Sequence, residues 1–377
     1  MNGPSAETMG DIFTEGIFID ILSRLPAKSL IRFKRVSKGW RSLISDLISD
    51  PSFVKLHLQR LKARDLIPSQ RIIIGSPCDN LLQTVDYETL DHGSEDPLVV
   101  VPHSIEVPCR KPCIVGSCDG LVCLLESGIF LICNPTTREY RELPVSDIPR
   151  DYELFCGFGY DPRSDDYKIV EGVVDYGNWE NWEVARFSFK SGSWRRIQFP
   201  YQELIHQQVS LSGVYWNGAL HWYVYDLISD KKSMIMSFDL SEERFHWELP
   251  VPEVDVGMTL VGLGIHGASL FIHSGNYGPR MEAWIMDEHG RGGGSWTKWF
   301  SIDCTSVNLE TGVGNAPLTY TRSGKVVLRV NSDRMILFNP KNNSCKDYPI
   351  RRHDPFQHAI YLETLVSPYL GGETSRI

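Results

Sequence analysis

Cysteine, glycine and histidine are the residue types in this chain whose spacing could carry chemistry. Cys109, Cys113, Cys118 and Cys123 cluster, which invites a zinc site. Their steps of four, five and five residues contain no CxxC pair, and Cys118 and Cys123 fall in or beside strand-like sequence, so a packing role is the better reading. Gly262-Leu263-Gly264-Ile265-His266-Gly267 satisfies a dinucleotide fingerprint by letters. That fingerprint works by aiming a helix N-terminus at a pyrophosphate, and Ala268-Ser269-Leu270-Phe271-Ile272-His273 reads as a strand instead. Gly116-Ser117-Cys118-Asp119-Gly120 imitates a nucleophile elbow, yet an elbow joins strand to helix, whereas Asp119-Gly120 is a hairpin signal between two apolar runs. The eleven histidines form no HExxH or other close metal spacing, and His221, His246, His266 and His273 read as packing or surface residues. These residues predict no catalytic group, no metal and no cofactor.

The elements that would position any site come in two kinds. Residues 15 to 58 are helical in pattern. At 100° per residue, Ile17, Phe18, Ile19, Ile21, Leu22 and Leu25 cover an arc of roughly 200°, leaving Asp20, Ser23 and Arg24 for water. One face cannot account for so wide an arc. Two burials are implied, one inside the unit and one against something else, because fewer than about 50 residues rarely build a sufficient core. Pro26 is expected to stop the first helix, Ser37 to cap the helix carrying Trp40, and Asp50 with Pro51 to open a fourth. Leu43-Ile44-Ser45-Asp46 is repeated as Leu47-Ile48-Ser49-Asp50, an insert close to one helical turn that an extra turn would absorb.

From about residue 70 the pattern changes to short apolar runs separated by turn residues, with no convincing amphipathic helix. A strand, a polar turn, an aromatic strand and a proline exit recur, ending at Pro144, Pro200, Pro250, near Ile302 and at Pro349. The intervals of 56, 50, 52 and 47 residues are those of propeller blades. Counting Arg71 to Pro102 gives six units, and the strand-like tail Ala359 to Val366 is expected to pair into the first and close the ring. A two-sheet β-sandwich is the alternative.

Composition sets further bounds. The chain of 377 residues is 42% hydrophobic, has no run of 18 apolar residues, and lacks a basic start followed by an apolar segment, predicting neither a membrane span nor secretion. Nine cysteines without an export signal predict reduced thiols. Residues 1 to 64 carry 11 Lys and Arg against 6 Asp and Glu, net +5, and the remainder 27 against 41, net −14. An acidic body argues against nucleic acid and favours a basic protein partner.

Ile19-Asp20-Ile21-Leu22-Ser23-Arg24-Leu25-Pro26, Lys28-Ser29-Leu30, Arg32 to Trp40 and Asp50-Pro51-Ser52-Phe53 together resemble an F-box, the module that docks onto a Skp-type adaptor in cullin-based ubiquitin ligases. The chain departs from the pattern at Phe13-Thr14, where F-boxes usually begin Leu-Pro, and in the repeat at 43 to 50. Gly116 to Cys123, Asn134-Pro135, Gly157-Phe158-Gly159-Tyr160-Asp161, Asp166-Tyr167-Lys168 and Tyr361 to Val366 resemble the F-box-associated domain of plant F-box proteins. The flavour is that of S-locus F-box and S-locus F-box-like proteins, which implies a pollen-side role against a style ribonuclease.

These resemblances imply a small all-α F-box at 11–62, a linker at 63–69, an all-β, six-unit propeller-like domain at 70–370 and a tail at 371–377. They imply a non-enzymatic substrate adaptor in the cytoplasm or nucleus, with a Skp-type subunit bound directly and cullin and RING subunits through it; an enzyme built on a propeller and an F-box scaffold outside ligases are the alternatives. Phe13, Thr14, Ile17, Ile21, Leu25, Pro26, Leu30, Val36 and Trp40 are the expected adaptor contacts. Asp175, Tyr176, Trp179, Glu180, Trp182 and Glu183 are the expected target contacts, because aromatics between strands favour interface hot spots.

Overall fold

The computed structural model describes residues 16–75, 81–92, 103–109, 111–148, 153–174, 182–200, 207–226, 233–255, 258–267, 269–275, 280–286, 295–305, 316–330, 334–349 and 357–369. Phe13 and Thr14 lie outside them, as do Asp175, Tyr176, Trp179 and Glu180.

Four helices lead the described chain: α1 (16–22), α2 (Ala27–Phe33), α3 (Lys38–Ser49) and α4 (Pro51–Lys62). Local signals set most boundaries. The Ser37 hydroxyl accepts the Trp40 N–H at 3.1 Å, and the Asp50 carboxylate accepts the Ser52 N–H at 2.9 Å with Pro51 at the first helical position. The doubled Leu-Ile-Ser-Asp segment runs through α3 as one unbroken helix, with Ile44 buried and Leu47 and Ile48 packed inward. Pro26 does not stop α1. The helix ends at residue 22, a tight turn follows in which the Leu25 N–H reaches only to Leu22 O, and Pro26 caps α2 with an extended ψ of 141°.

The rest is six antiparallel sheets, so the sandwich alternative is excluded. Blade 1 comprises β1 (Gln70–Gly75), β2 (Leu81–Val85) and β3 (His103–Glu106), joined by β25 (Gln357–Leu362) from the far end of the chain. Its third strand lies beyond Pro102, and a five-residue helix, α5 (Glu88–His92), precedes it; neither is visible in the spacing. Blade 2 is β4 (Cys113–Cys118) to β7 (Glu139–Glu142), through β5 (Leu121–Glu126) and β6 (Ile129–Asn134). Blade 3 is β8 (Glu153–Asp161), β9 (Asp166–Val174), β10 (Trp182–Ser188) and β11 (Ser193–Ile197).

In blade 4 the short strands β12 (Gln207–Val209) and β13 (Val214–Trp216) both pair with β14 (Ala219–Asp226), followed by β15 (Met234–Asp239) and β16 (Arg244–Leu249). Blade 5 is β17 (Leu260–His266), β18 (Ser269–Ser274), β19 (Arg280–Met286) and β20 (Trp296–Asp303). Blade 6 is β21 (Ala316–Tyr320), β22 (Val326–Val330), β23 (Arg334–Asn339) and β24 (Ser344–Pro349). The ring closes where β25 runs antiparallel to β1, with Ile72 opposite Ile360 and Gly75 opposite Gln357. Closure removes the open edges that a six-blade sheet array would otherwise present.

Two turn chemistries repeat around the ring. Asp119-Gly120, Ser127-Gly128 and Asn217-Gly218 are two-residue hairpin turns with positive φ at both positions, the geometry that matches strand twist. Asn134, Asp161, Ser188, Asp239 and Asn339 each open a four-residue turn by accepting a backbone N–H from two or three residues on. The residue before the next strand, Arg138, Asp165, Gly192, Glu243 or Asn343, then takes a positive φ. The proline exits have a physical counterpart as well. The Trp194 indole donates to Pro144 O at 2.6 Å and the Trp296 indole to Pro250 O at 2.5 Å, each tying an outer strand to the end of the preceding blade.

Apolar side chains fill the spaces between blades, as with Phe155, Trp222 and Phe238 between blades 3 and 4. The buried Lys168 ammonium links the same blades, 2.9 Å from Asp161 and 3.1 Å from Glu243.

Candidate functional site

The helical unit presents apolar side chains to solvent in a way that its own core does not require. Ile17 is 55% exposed, Ile21 53% and Val36 64%, with Phe18 and Leu43 also exposed. Trp40 sits half-buried among them, its ring centroid 5.2 Å from Phe33 and 6.5 Å from Phe18. Exposed apolar groups so concentrated on one small unit exceed what a monomeric surface usually carries singly. Phe18 and Leu43 are exposed apolar residues outside the expected set; Phe18 was visible in the wide arc of α1.

Leu30 is a correction. It is fully buried among Leu22, Ala27, Ile44 and Phe53, so it builds the unit and cannot reach a partner. Leu25 is half-buried against the same core and Pro26 is exposed beside it. Behind this surface, polar contacts hold α1 to α4. Arg60 donates to Asp20 O at 2.7 Å and to Asp20 Oδ1 at 2.6 Å, and the His57 Nε2–H donates to Leu25 O at 2.9 Å. The hydrogen bonds from Arg24 and Arg60 hold the Asp20 carboxyl below its ordinary value, and burial lowers the His57 imidazole.

The helical unit is seated on the propeller, not tethered to it. Val54 and Leu58 of α4 pack against the cluster containing Cys118, Tyr167 and Val366. Lys62 Nζ lies 2.6 Å from the buried Asp119 carboxylate and 5.8 Å from the Tyr160 ring centroid. Lys55 pairs with Asp165 at 3.0 Å, and Asp65 with Arg322 at 2.9 Å. A four-residue strap, Glu363 to Val366, lies between the two bodies. Glu363 pairs with Lys28 of α2, and Leu365, 1% exposed, completes the helical core. Asn134 Nδ2 donates to Thr364 O and Val366 O on the propeller side.

These contacts fix which face of the ring the helices occupy. Asp119, Asp165 and Arg322 all stand at turns between the first and second strands of their blades. Val174 and Trp182, which flank residues 175–181 in the chain, pair with each other at the opposite end of blade 3. The nine residues of β9 carry the chain about 26 Å, from Asp166 beside the helical face to Val174. Of the expected target contacts that are described, Trp182 stacks on Phe199 at 4.7 Å, and Glu183 pairs with Arg196, which also holds Asp147 at 3.1 Å. Trp182 is therefore a packing residue and Glu183 is already neutralised.

The chemistry-bearing residues are placed as structure. Residues 262–267 run along β17 into its turn, and β18 follows, not a helix. Asp119 and Gly120 form the β4–β5 turn. Cys109, Cys118 and Cys123 are buried free thiols, and burial pushes the Cys118 and Cys123 thiols well above their ordinary value. Among the described residues no group of three His, Cys, Asp or Glu side chains is placed to hold a metal ion. None of the described helices is long and apolar enough to cross a membrane.

Comparison with known proteins agrees with both bodies. Residues 15–51 match the F-box domain and residues 94–368 the F-box associated beta propeller domain. The F-box/kelch-repeat protein At3g23880 of Arabidopsis thaliana is 30% identical over 93% of this chain and 94% of its own length. F-box protein CPR1 of the same plant is 30% identical over 85% of this chain and 80% of its own. F-box protein At4g22390 is 27% identical over 94% and 90%.

Proposed function

This chain belongs to the F-box proteins that carry an F-box associated beta propeller domain, and from that premise we propose that it is the substrate-recognition subunit of an SCF-type cullin-RING ubiquitin ligase. The observation that carries the reading is the exposed set Ile17, Phe18, Ile21 and Val36 on a helical unit seated against the propeller. That surface takes a Skp-type subunit, through which cullin and RING subunits join. The protein transfers no ubiquitin itself. It contributes effective concentration, holding a target lysine near a thioester it never touches.

The target is taken on the face opposite the F-box, where residues 175–181 emerge, with Asp175, Tyr176, Trp179 and Glu180 as contacts. Net charge of −14 over residues 65–377 favours a basic target. A style ribonuclease is the target class that the S-locus resemblance names.

Co-purification with a Skp-type subunit tests the first half, and a full-length chain that leaves that subunit behind removes it. Affinity capture with a cullin-activation inhibitor present tests the second. A preferred target that is acidic, or an association rate indifferent to salt, means that charge does not select it.

A further inference from the structure

We propose that loading onto the adaptor is conditional on closure of the propeller ring, through the strap Glu363 to Val366. This inference rests on the adaptor reading of the F-box surface and adds a condition to it.

The strap continues directly from β25, the strand that closes the ring. Its side chains reach both bodies, as an extended chain laid between them allows. Thr364 and Val366 belong to the propeller: the Thr364 hydroxyl donates to Asp119 O at 2.8 Å, and Val366 is buried in the cluster with Leu125 and Phe130. Leu365 belongs to the F-box, lying in the core formed by Leu22, Ala27, Leu30, Ile44 and Phe53, and Glu363 bridges the two bodies, pairing with Lys28 of α2 and, at 3.2 Å, with Arg71 of β1. Backbone contacts leave little slack. The Glu363 N–H donates to Ser69 O at 2.8 Å, and Asn134 Nδ2 donates to Thr364 O at 3.1 Å and Val366 O at 2.7 Å. The β4–β5 turn is pressed onto the strap so closely that a Cβ on Gly120 would lie 2.1 Å from Thr364 Oγ1.

Leu365 is therefore a core residue of the F-box delivered by the propeller. A helical unit of this size does not build a sufficient core unaided. With β25 unpaired, Leu365 leaves and the helices carrying Ile17, Ile21 and Val36 lose the packing that holds them in register. A binding surface populated only in the closed state lowers apparent affinity by the fraction closed. Linkage makes the effect reciprocal: an adaptor that binds only the ordered F-box must stabilise ring closure by the same factor. Leu365 is a positioning residue in this scheme.

The test uses the full-length chain, a purified Skp-type subunit, calorimetry and amide hydrogen exchange. Leu365→Ala should weaken binding by about tenfold or more, and Leu365→Met should restore it to within about threefold. Saturating subunit should slow exchange at β25 and β1 in the wild type and not in Leu365→Ala, a response that a purely local packing role does not produce. In the absence of subunit, Ile360→Ala on the closing strand should speed exchange in α1 to α3, although Ile360 packs against blades 1 and 6. Leu365→Val carries the same tests if the alanine variant is insoluble. Wild-type affinity in Leu365→Ala, or F-box exchange indifferent to Ile360→Ala, overturns the proposal. A wild type that binds no subunit defeats the ligase reading instead, and the exchange arm alone then decides whether closure orders the F-box.

Discussion

Lys62, the last residue of α4, and Asp119, the first residue of the β4–β5 turn, form an ion pair of 2.6 Å that joins the F-box to the propeller. Asp119 is almost fully buried, and its other carboxylate oxygen accepts the Tyr167 hydroxyl at 3.0 Å. Burial, followed by the Asp119 charge, pushes the Tyr167 phenol well above its ordinary value, so it remains a donor. Lys62→Ala leaves a buried carboxylate with one partner fewer. Because Lys62 is itself half-exposed, we expect a loss of about 1 to 2 kcal/mol, less than a fully buried pair would give. Urea melts of Lys62→Ala, Asp119→Asn and the double variant check this; the double variant should be less destabilised than the sum of the singles.

Surface and core roles within the F-box separate by mutation. Ile17→Asp with Ile21→Asp should reduce affinity for a Skp-type subunit by about 100-fold or more, since both side chains are exposed and available to a partner. The melting temperature should not move. Leu30→Ala should do the reverse in origin, costing about 2 to 5 kcal/mol of F-box stability and losing binding only through unfolding. Calorimetry and thermal melts on the same samples distinguish the two.

Deleting residues 357–377 should give a chain that precipitates or is rapidly proteolysed. It strips the β25 partner from β1, whose Ile72, Ile73 and Ile74 are fully buried in the intact ring. An unpaired apolar edge strand is a template for association. Soluble yield and limited proteolysis against the full-length chain are the measurements, and an unchanged melting temperature would show that β25 does not close the ring.

Acid should destabilise the propeller well above the carboxylate range. Burial pushes the His221 imidazole from 6.5 to about 4, and His273 likewise to about 4. Burial outweighs the backbone carbonyls that favour the charged forms, Trp216 O at 3.3 Å from His221 Nε2 and Ser274 O at 3.2 Å from His273 Nδ1. In the unfolded chain both protonate below about 6.5, so their contribution is intact above that pH and is lost as pH falls towards 4. For His221 alone this is roughly 3 kcal/mol by pH 4. Asp161 acts in a lower window. Despite burial, hydrogen bonds from Ser164, Ser241 and Lys168 hold it below 3.8, so its contribution persists until carboxylates protonate. Melting curves from pH 7.5 to 4 should fall for the wild type and fall less for His221→Gln.

What the sequence made legible was mainly local. Asp119-Gly120 can form little other than a tight hairpin turn, and Ser37 and Asp50 announce helix starts, because each effect acts within three residues. The six-unit ring was legible from spacing, since proline exits and turn-opening Asn, Asp and Ser residues recur with the blades. The pairing of the tail into the first unit was legible, but that unit was bounded at Pro102, short of β3 (His103–Glu106), because the periodicity does not reveal α5, which precedes that strand. Leu30 was misassigned for a related reason: helical periodicity says which residues share a side, and α1 to α3 bury two sides against different things. Nothing in Leu365 distinguishes it from a strand residue, and its place in the F-box core depends on a packing partner, Leu30, that is 335 residues away.

That separation has a consequence for how the protein is made. A ribosome emits Leu30 and, 335 residues later, Leu365, and at about 5 to 20 residues per second the interval is roughly 17 to 67 s. For that time the earliest-made helices lack one of their core side chains, with Ile17, Phe18 and Ile21 already in solvent. A chain truncated before Leu365 would keep Ile17, Phe18 and Ile21 but lack a side chain that packs the helices carrying them.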